Sequence, residues 1–314
     1  MATPIMLGGK KIGRLRASFL LFKESWRFLA ADKELVVIPV ITAVLNLALV
    51  GLVFTVFIVS QGGWSALTVG DGADTAINLA TYLFAFMIYV VGAFTLAVSQ
   101  AAIVHTVYTR AHGGNATLGQ SLQVAFSHTP SLLVWSLITS TVGMILQQIS
   151  QRSKIIGAIV AFLLGTAWNV LTYFVIPAMV LDKKSAFAAI PHATTVFKRT
   201  WGETLVTNIS LGLFFFVAYM LVLASFVGLM IAGISTNNVI LTIVAIMFGV
   251  VWLIVASLVQ AALQGVIKTL LYIYASEDVV PVNFNRELLE AILVRRNIVP
   301  VATTPASVPS AVVN

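Results

Sequence analysis

The sequence predicts an all-α fold: a polytopic membrane bundle of six transmembrane helices, with amphipathic helices at the cytoplasmic interface. Of the 314 residues, 59% are hydrophobic and only 9% are charged, and the mean hydropathy is +1.00. Long charge-free intervals divide the chain, and basic residues cluster in alternate loops between them. Since a soluble domain carries roughly a quarter charged residues, this composition excludes an ordinary globular enzyme, a disordered protein and a nucleic-acid-binding domain.

Six spans fit into five charge-free intervals. A helix needs about 20 apolar residues to cross about 30 Å of hydrocarbon at 1.5 Å per residue. The last interval, 204–267, is long enough for two passes, and the polar cluster 233–238 supplies the turn between them. The other four predicted spans are Leu35–Ser60, Ile77–Ala97, Ser131–Ile149 and 155–181.

Basic residues predict the orientation of the spans. Sixteen of the 18 lie on one side, and only Arg152 and Lys154 lie on the other. Because Lys and Arg collect on the cytoplasmic side, both termini are expected in the cytoplasm. The chain then divides into a cytoplasmic segment with an interfacial helix (1–34), a membrane domain (35–275), a cytoplasmic C-terminal helix (276–298) and a disordered tail (299–314).

Apolar residues recur at helical spacing before the first, third and fifth spans, which predicts amphipathic helices in the inner interface. These stripes are Leu15, Phe19, Phe22, Trp26 and Leu29, then Leu118, Leu122 and Phe126, then Phe187, Ile190, Thr194 and Phe197. Pro191 is expected to kink the last segment or to restart a helix there. Candidate contacts for anionic lipid head groups are Arg16, Lys23, Arg27, Lys198 and Arg199. Simple anchoring of the helices is the alternative.

An internal repeat is suggested by short similar strings. Phe22-Lys23-Glu24-Ser25-Trp26 is similar to Phe197-Lys198-Arg199-Thr200-Trp201 and, more weakly, to residues 126–130. These strings predict three units of helix plus hairpin in one orientation. Chance similarity between apolar stretches is the competing interpretation.

Polar residues near the inner ends of the second and sixth spans are candidates for the lining of a polar cytoplasmic mouth. They are Gln100, His105, Gln260, Gln264 and Lys268, and helix counting places them at or beyond the cytoplasmic interface. Solvated helix ends, with the Lys268 ammonium reaching to the interface, are the alternative. Asn46 and Asn169 lie inside the hydrocarbon, where interhelical hydrogen bonds of about 0.6–2 kcal/mol account for them.

Two features of the fourth span concern packing. Gly157, Ala161 and Gly165 form a row of small residues, which predicts a close approach to a neighbouring helix. Pro177 predicts a kink near the inner end of the span.

The sequence lacks the residues that several classes of function require. The chain has no Cys, which excludes thiol chemistry and thiolate metal sites. Ionised residues are missing near the predicted bilayer midplane, which argues against a transporter coupled to buried carboxylates. The four His are scattered, and nucleotide-binding and hydrolase motifs are missing. We therefore expect no cofactor, no metal site and no nucleic-acid partner, and an enzyme is disfavoured.

Five strings carry a resemblance to a known family. They are Phe22-Lys23-Glu24-Ser25-Trp26, the segment from Val98 to His105 leading to Thr117-Leu118-Gly119, Tyr173-Phe174-Val175-Ile176-Pro177, the segment from Phe197 to Glu203, and Leu271-Tyr272-Ile273-Tyr274-Ala275. The chain resembles an uncharacterised bacterial and archaeal six-span family, distantly similar to the membrane domain of glycerophosphodiester phosphodiesterases. The resemblance implies a bacterial plasma-membrane protein and brings no catalytic residues. It departs at Pro191, where an uninterrupted helix is expected.

Two functional hypotheses follow. The first is a non-enzymatic membrane protein that organises lipid, or a partner membrane protein or second copy, through its cytoplasmic helices. The alternative is a channel or facilitator for a small solute, with the polar mouth described above. An intramembrane enzyme acting on lipid would need more than Asp71 and Asp74, the two carboxylates of the first external loop.

Overall fold

The computed structural model describes residues 5–7, 10–12, 23, 25–27, 29–30, 32–60, 79–152 and 156–277. Two three-residue strands pair antiparallel near the N-terminus, and every other regular element is a helix. The elements are β1 (Ile5–Leu7), β2 (Lys10–Ile12), α1 (Lys33–Ser60), α2 (Leu79–Ala111), α3 (Leu118–Ser127), α4 (Thr129–Arg152), α5 (Ile156–Leu171), α6 (Val175–Leu181), α7 (Ala186–Ser235) and α8 (Val239–Glu277).

Six helices in the described part of the chain are long and apolar enough to span a membrane, which confirms the predicted fold class. The fourth span consists of α5 and α6 together, and the turn between the last two spans lies at Thr236–Asn238. Helices α2 and α8 continue well beyond their predicted inner ends, to Ala111 and Glu277. The C-terminal residues beyond Glu277 and the external-loop residues Asp71 and Asp74 lie outside the described residues.

Three antiparallel hairpins share one end of the bundle. We call it the charged end, because α1 begins there at Lys33, α2 stops at Ala111 and α8 stops at Glu277, and ion pairs join them. Arg110 Nε lies 2.9 Å from Asp32 Oδ2, and His112 Nε2 lies 3.1 Å from Glu277 Oε2. Helical residues precede each hairpin: residues 25–27 and 29–30 before α1, α3 before α4, and the start of α7. The three-fold repeat itself stays a prediction.

The best-packed core lies toward the charged end. Fully buried side chains concentrate on α2 from Ala97 onward, on α6 and on α8 from Ala262 to Ile273. Toward the opposite end, the apolar side chains of α7 and α8 are largely exposed to the surroundings of the chain. Such surfaces suit contact with lipid chains.

The two prolines near the charged end act differently. Helix α7 runs without interruption through Pro191, which lies in its second turn, so the expected restart of a helix there is wrong, and a kink at this residue stays a prediction. The chain instead breaks between α5 and α6 at Thr172–Phe174, and Pro177 lies in the first turn of α6, where a missing N–H costs nothing. The kink predicted from Pro177 is therefore a break three residues earlier.

The predicted interfacial stripes supply only part of the buried faces of their helices, because Leu118, Leu122 and Ile190 pack against the core but stay partly exposed. On α3 the buried residues are Ser121 and Ala125, and Ser121 Oγ lies 2.7 Å from Thr106 Oγ1 of α2. On α7 the buried face is alanine-rich, through Ala189 and Ala193, whereas Phe187 is exposed. Of the predicted α7 stripe only Phe197 is fully packed, because small residues let α7 lie close to α6.

Close packing of α4 against α5 yields a prediction. A Cβ added to Gly157 would lie 2.5 Å from the Ile149 carbonyl oxygen, and backbone atoms cannot rotate away. Gly157→Ala is expected to lower the free energy of unfolding by about 1–3 kcal/mol, the usual cost of overpacking. The midpoint of thermal unfolding in detergent measures the change.

Gly228→Ala is the matched control, because an added Cβ there meets no atom within 4 Å. Its midpoint should stay constant or rise, since Ala favours a helix over Gly by up to about 1 kcal/mol. Equal midpoints for the two variants would contradict the close approach of α4 and α5.

Candidate functional site

A cavity of about 800 Å³ lies between α5 and the pair formed by α2 and α8. Helix α5 packs against α4 and α7, and the lining of the cavity comes from α2, α4, α5, α8, α6 and the start of α7. Ligand cavities in proteins have volumes of about 300–1,000 Å³. The space is therefore large enough for an organic ligand.

Lys268 of α8 supplies the positive charge of this cavity. The side chain is half-buried, and its Nζ lies 5.1 Å from the centre of the Tyr173 ring, within cation–π distance. Among the described carboxylates, none lies within 4.0 Å of this ammonium group. Because an unpaired ammonium is costly to remove from water, the geometry leaves a place for an anion.

The polarity of the cavity wall falls with distance from the charged end. Gln264 lies one turn deeper than Lys268 on α8, and Gln100 of α2 faces the same space. The Gln100 Oε1 atom is buried and accepts no hydrogen bond from the described residues. Farther in, the lining is mostly small or apolar, with Ala93, Ala97, Val142, Gly143, Leu146 and Gly165. The hydroxyls of Thr139 and Thr166, which also line this part, donate to carbonyls of their own helices. This gradient matches a ligand with a polar head and an apolar tail.

Aromatic rings cover the cavity on the side of the charged end. Tyr173, Phe174 and Phe197 contact one another with centroid distances of 4.8–6.2 Å. The ring of the fully buried Tyr272 lies 5.5 Å from that of Phe174, and its hydroxyl donates to Asp182 Oδ2 at 2.6 Å. His192 Nε2 lies 2.7 Å from the same oxygen. These contacts join α6, α7 and α8 into a compact roof.

The cavity opens sideways, at the depth of the spans. Leu96 of α2 is 63% exposed, and Thr166 and Asn169 of α5 are also exposed while they line the cavity. Thr166 lies about 15 Å along α5 from the end opposite the charged end. A ligand can therefore enter from the hydrocarbon region without crossing the aromatic roof.

The part of the chain that forms this site matches a known family. A model described as a family of unknown function, DUF6159, matches residues 79–280, about two thirds of the chain. The chain belongs to this family. No curated protein matches it. Membership of an uncharacterised family is thereby confirmed, and the similarity to the phosphodiesterase membrane domain stays a prediction.

Every residue that lines the cavity lies within the part of the chain that matches DUF6159. Helix α1 lies before that part and adds no residue to the lining. The cavity is thus a feature of the family region itself.

The structure divides the five predicted mouth residues of this DUF6159 protein. Gln100, Gln264 and Lys268 line the cavity together. Gln260 is not among the lining residues, and its Oε1 accepts a hydrogen bond from the Tyr219 hydroxyl at 2.8 Å. His105 faces a separate surface depression beside α3, where its Nδ1 lies 3.4 Å from Ser121 Oγ.

The two asparagines inside the predicted hydrocarbon have different environments. Asn46 Nδ2 donates to Thr95 Oγ1 at 2.7 Å, which joins α1 to α2 as interhelical packing predicts. Asn169 is exposed and lines the cavity. The sequence analysis missed the aromatic residues of the lining, which are Trp135, Trp168 and Tyr173, because such residues occur on any apolar helix face. The rings of Trp135 and Trp168 stack with their centroids 5.9 Å apart.

The candidate lipid-head contacts lie away from the cavity. Lys23, Arg27 and Lys198 are exposed. Arg16 lies outside the described residues, and Arg199 is described only as part of the α7 backbone. Their binding of lipid stays a prediction.

The roof of the cavity yields a second prediction. Tyr272→Phe keeps the ring contact with Phe174 and removes the hydrogen bond to Asp182, so the free energy of unfolding should fall by about 1.5–3 kcal/mol, as for a bond to a charged group. Thermal unfolding in detergent measures it. Tyr82→Phe, at an exposed tyrosine, is the control and should leave the midpoint unchanged. A wild-type midpoint for Tyr272→Phe would show that the roof does not depend on this bond.

Proposed function

We propose that this DUF6159 protein is a non-enzymatic membrane protein that binds an anionic amphiphile, taken up sideways from the bilayer, with Lys268 holding its head group. One observation carries the proposal: the Lys268 ammonium faces a membrane-depth cavity and has an aromatic ring, but no described carboxylate, beside it. A charge kept in such a place is a mark of function rather than of packing.

The chemistry of the wall supports an amphiphile over a fully polar solute. The amides of Gln100 and Gln264 lie near the head-group position, and the deeper lining offers small and apolar side chains. The side opening at Leu96 and Asn169 leads toward lipid chains. A phosphate or carboxylate head on Lys268 would thus leave its tail between α2 and the α4–α5 hairpin.

The proposal includes an orientation and a location. The charged end faces the cytoplasm by the positive-inside rule, so the cavity takes its ligand from the inner leaflet. The exposed Lys23, Arg27 and Lys198 at this end would attract anionic lipids to the surface, at roughly 1 kcal/mol per basic residue. We place the protein in a bacterial or archaeal plasma membrane, in line with the resemblance of its sequence.

Removal of the Lys268 charge tests this function. The full chain, purified in a non-ionic detergent, is titrated with dioleoyl phosphatidylglycerol, and bound lipid is counted by native mass spectrometry. Lys268→Met keeps the aliphatic stem but loses the charge-assisted hydrogen bonds, worth about 1.5–3 kcal/mol, so binding should weaken about 10- to 100-fold. Binding of dioleoyl phosphatidylcholine, which has no net charge, should change little.

Lys33→Met is the matched control, since Lys33 is exposed, lies outside the cavity lining and is not one of the candidate lipid-head contacts. It should retain phosphatidylglycerol binding. Without lipid, Lys268→Met should unfold at the same temperature as the wild type or higher, because the variant no longer holds an unpaired charge. Equal phosphatidylglycerol affinities of Lys268→Met and the wild type would overturn the proposal.

A facilitator for a small solute is the second candidate, favoured by the unpartnered Gln100 Oε1 in the cavity wall. It requires a path through the bundle, and the lining described here ends among Val142, Gly143 and Leu146 of α4. The test is the flux of a small polar solute into proteoliposomes that contain the protein. If the wild type shows this flux and Gln100→Leu abolishes it, the facilitator is favoured over the lipid-binding protein.

A further inference from the structure

A second cavity, of about 360 Å³, lies beside the first, between α1, α2 and α8. Leu96 of α2 and Ala261 of α8 line both cavities. These two residues therefore lie on the border of the cavities, beside helix α2, whose neighbouring faces line one cavity each. We call Leu96 and Ala261 the partition, and the two cavities are the branches on either side of it.

Four of the five polar side chains that line the second cavity, all but Ser99, make hydrogen bonds within the described residues. The hydroxyls of Thr42, Thr95 and Ser257 donate to carbonyls of their own helices at 2.8–3.1 Å, and Asn46 donates to Thr95. Such a lining presents mainly methyl and methylene groups to an occupant. The second branch thus suits an apolar chain, in contrast to the Lys268 region of the first.

The partition lies at a definite depth below Lys268. Ala261 precedes Lys268 by seven residues on α8, which is about 10 Å along the helix and nearly the same face. A head group on Lys268 would bring the start of its apolar part to the level of Ala261. There the space divides into two branches.

We propose that the ligand is a two-chain anionic glycerolipid that straddles the Leu96–Ala261 partition, with one chain in each cavity. This inference rests on the proposed function, because Lys268 holds the head group. The first chain lies against Gly143 and Gly165 of the α4–α5 hairpin, and the second lies against Gly92 and Ala43 on the α1 side. A single-chain amphiphile would fill only one branch.

Filling the second branch alone tests the inference. Gly92→Leu adds a side chain there, and a Cβ at Gly92 meets no atom within 4 Å. Affinities for dioleoyl phosphatidylglycerol and for 1-oleoyl lysophosphatidylglycerol are measured on the full chain by native mass spectrometry. For each lipid, the affinity of the variant is divided by the affinity of the wild type. Uptake of the lipid into detergent micelles is the same for both proteins and does not change this ratio. Gly92→Leu should weaken the two-chain lipid about 10-fold, the worth of roughly two buried methylenes, and leave the single-chain lipid unchanged.

Matched variants separate this effect from others. Ala43→Leu fills the same branch from α1 and should reproduce the result. It also provides the test if Gly92→Leu lowers the yield of folded protein. Gly51→Leu is the control, since Gly51 lies on α1 outside both linings and has open space around it. It should bind both lipids as the wild type does.

The outcomes distinguish the two proposals. Equal effects of Gly92→Leu and Ala43→Leu on the two lipids, or no effect on either, would overturn the straddling arrangement while the Lys268 dependence stands. Wild-type binding of phosphatidylglycerol by Lys268→Met would instead overturn the proposed function. Selective loss of the two-chain lipid, together with dependence on Lys268, would support both.

Discussion

Gly265 of α8 lies so close to Ile103 of α2 that an added Cβ would be 2.8 Å from Ile103 Cγ2. The rest of the structure depends on this approach of two long helices. Around it, α8 buries an almost continuous run from Ala262 to Ile273, and α6 packs on α2 and α7. Dispersion contacts are individually small but add up over such a run. The seam thus supplies the rigid part of the molecule at the charged end.

The cavities follow from where this seam ends. Beyond Ala261 toward the opposite end, α8 presents mostly exposed side chains, and the two cavities lie between neighbouring helices there. Apolar surfaces of this kind suit contact with lipid chains, since they are stable only away from water. A wedge that narrows toward a tightly packed, charged end has the shape and polarity of an amphiphile. The site therefore needs no dedicated loop or inserted element.

Hydropathy and helical spacing predicted the six spans because the thickness of the hydrocarbon sets their minimum length. They did not predict how the helices face one another. The Phe187 stripe predicted a helix in the inner interface, and it did not indicate that alanines form the buried face of α7, where small residues permit a close approach to α6. Lys268 was a candidate for a cytoplasmic mouth, or alternatively for a solvated helix end. Neither prediction included Tyr173, 95 residues earlier in the chain, whose ring lies beside the Lys268 ammonium. Contacts between residues so distant in sequence depend on the crossing of helices, which periodicity does not specify. Gln100 and Gln264 line one cavity, in line with their positions along α2 and α8, and their role at a cytoplasmic mouth stays a prediction.

Lys268 lies three residues from Gly265, so its backbone belongs to the rigid seam. The opposite wall of the cavity is α5, which joins α6 through the break at Thr172–Phe174. Helix α5 also contacts α7, because the Thr194 hydroxyl donates to the Leu171 carbonyl at 3.3 Å. One wall is therefore fixed by dense packing, while the other is attached at its inner end and rests on α4. A head group needs a fixed charge, because hydrogen bonds depend steeply on distance and angle. Apolar tails need only a dry surface, since the hydrophobic effect is not directional. The cavity thus has a rigid wall that carries the lysine and a separate hairpin that covers the tail. This division suits the binding of lipids that share a head-group charge and differ in their chains.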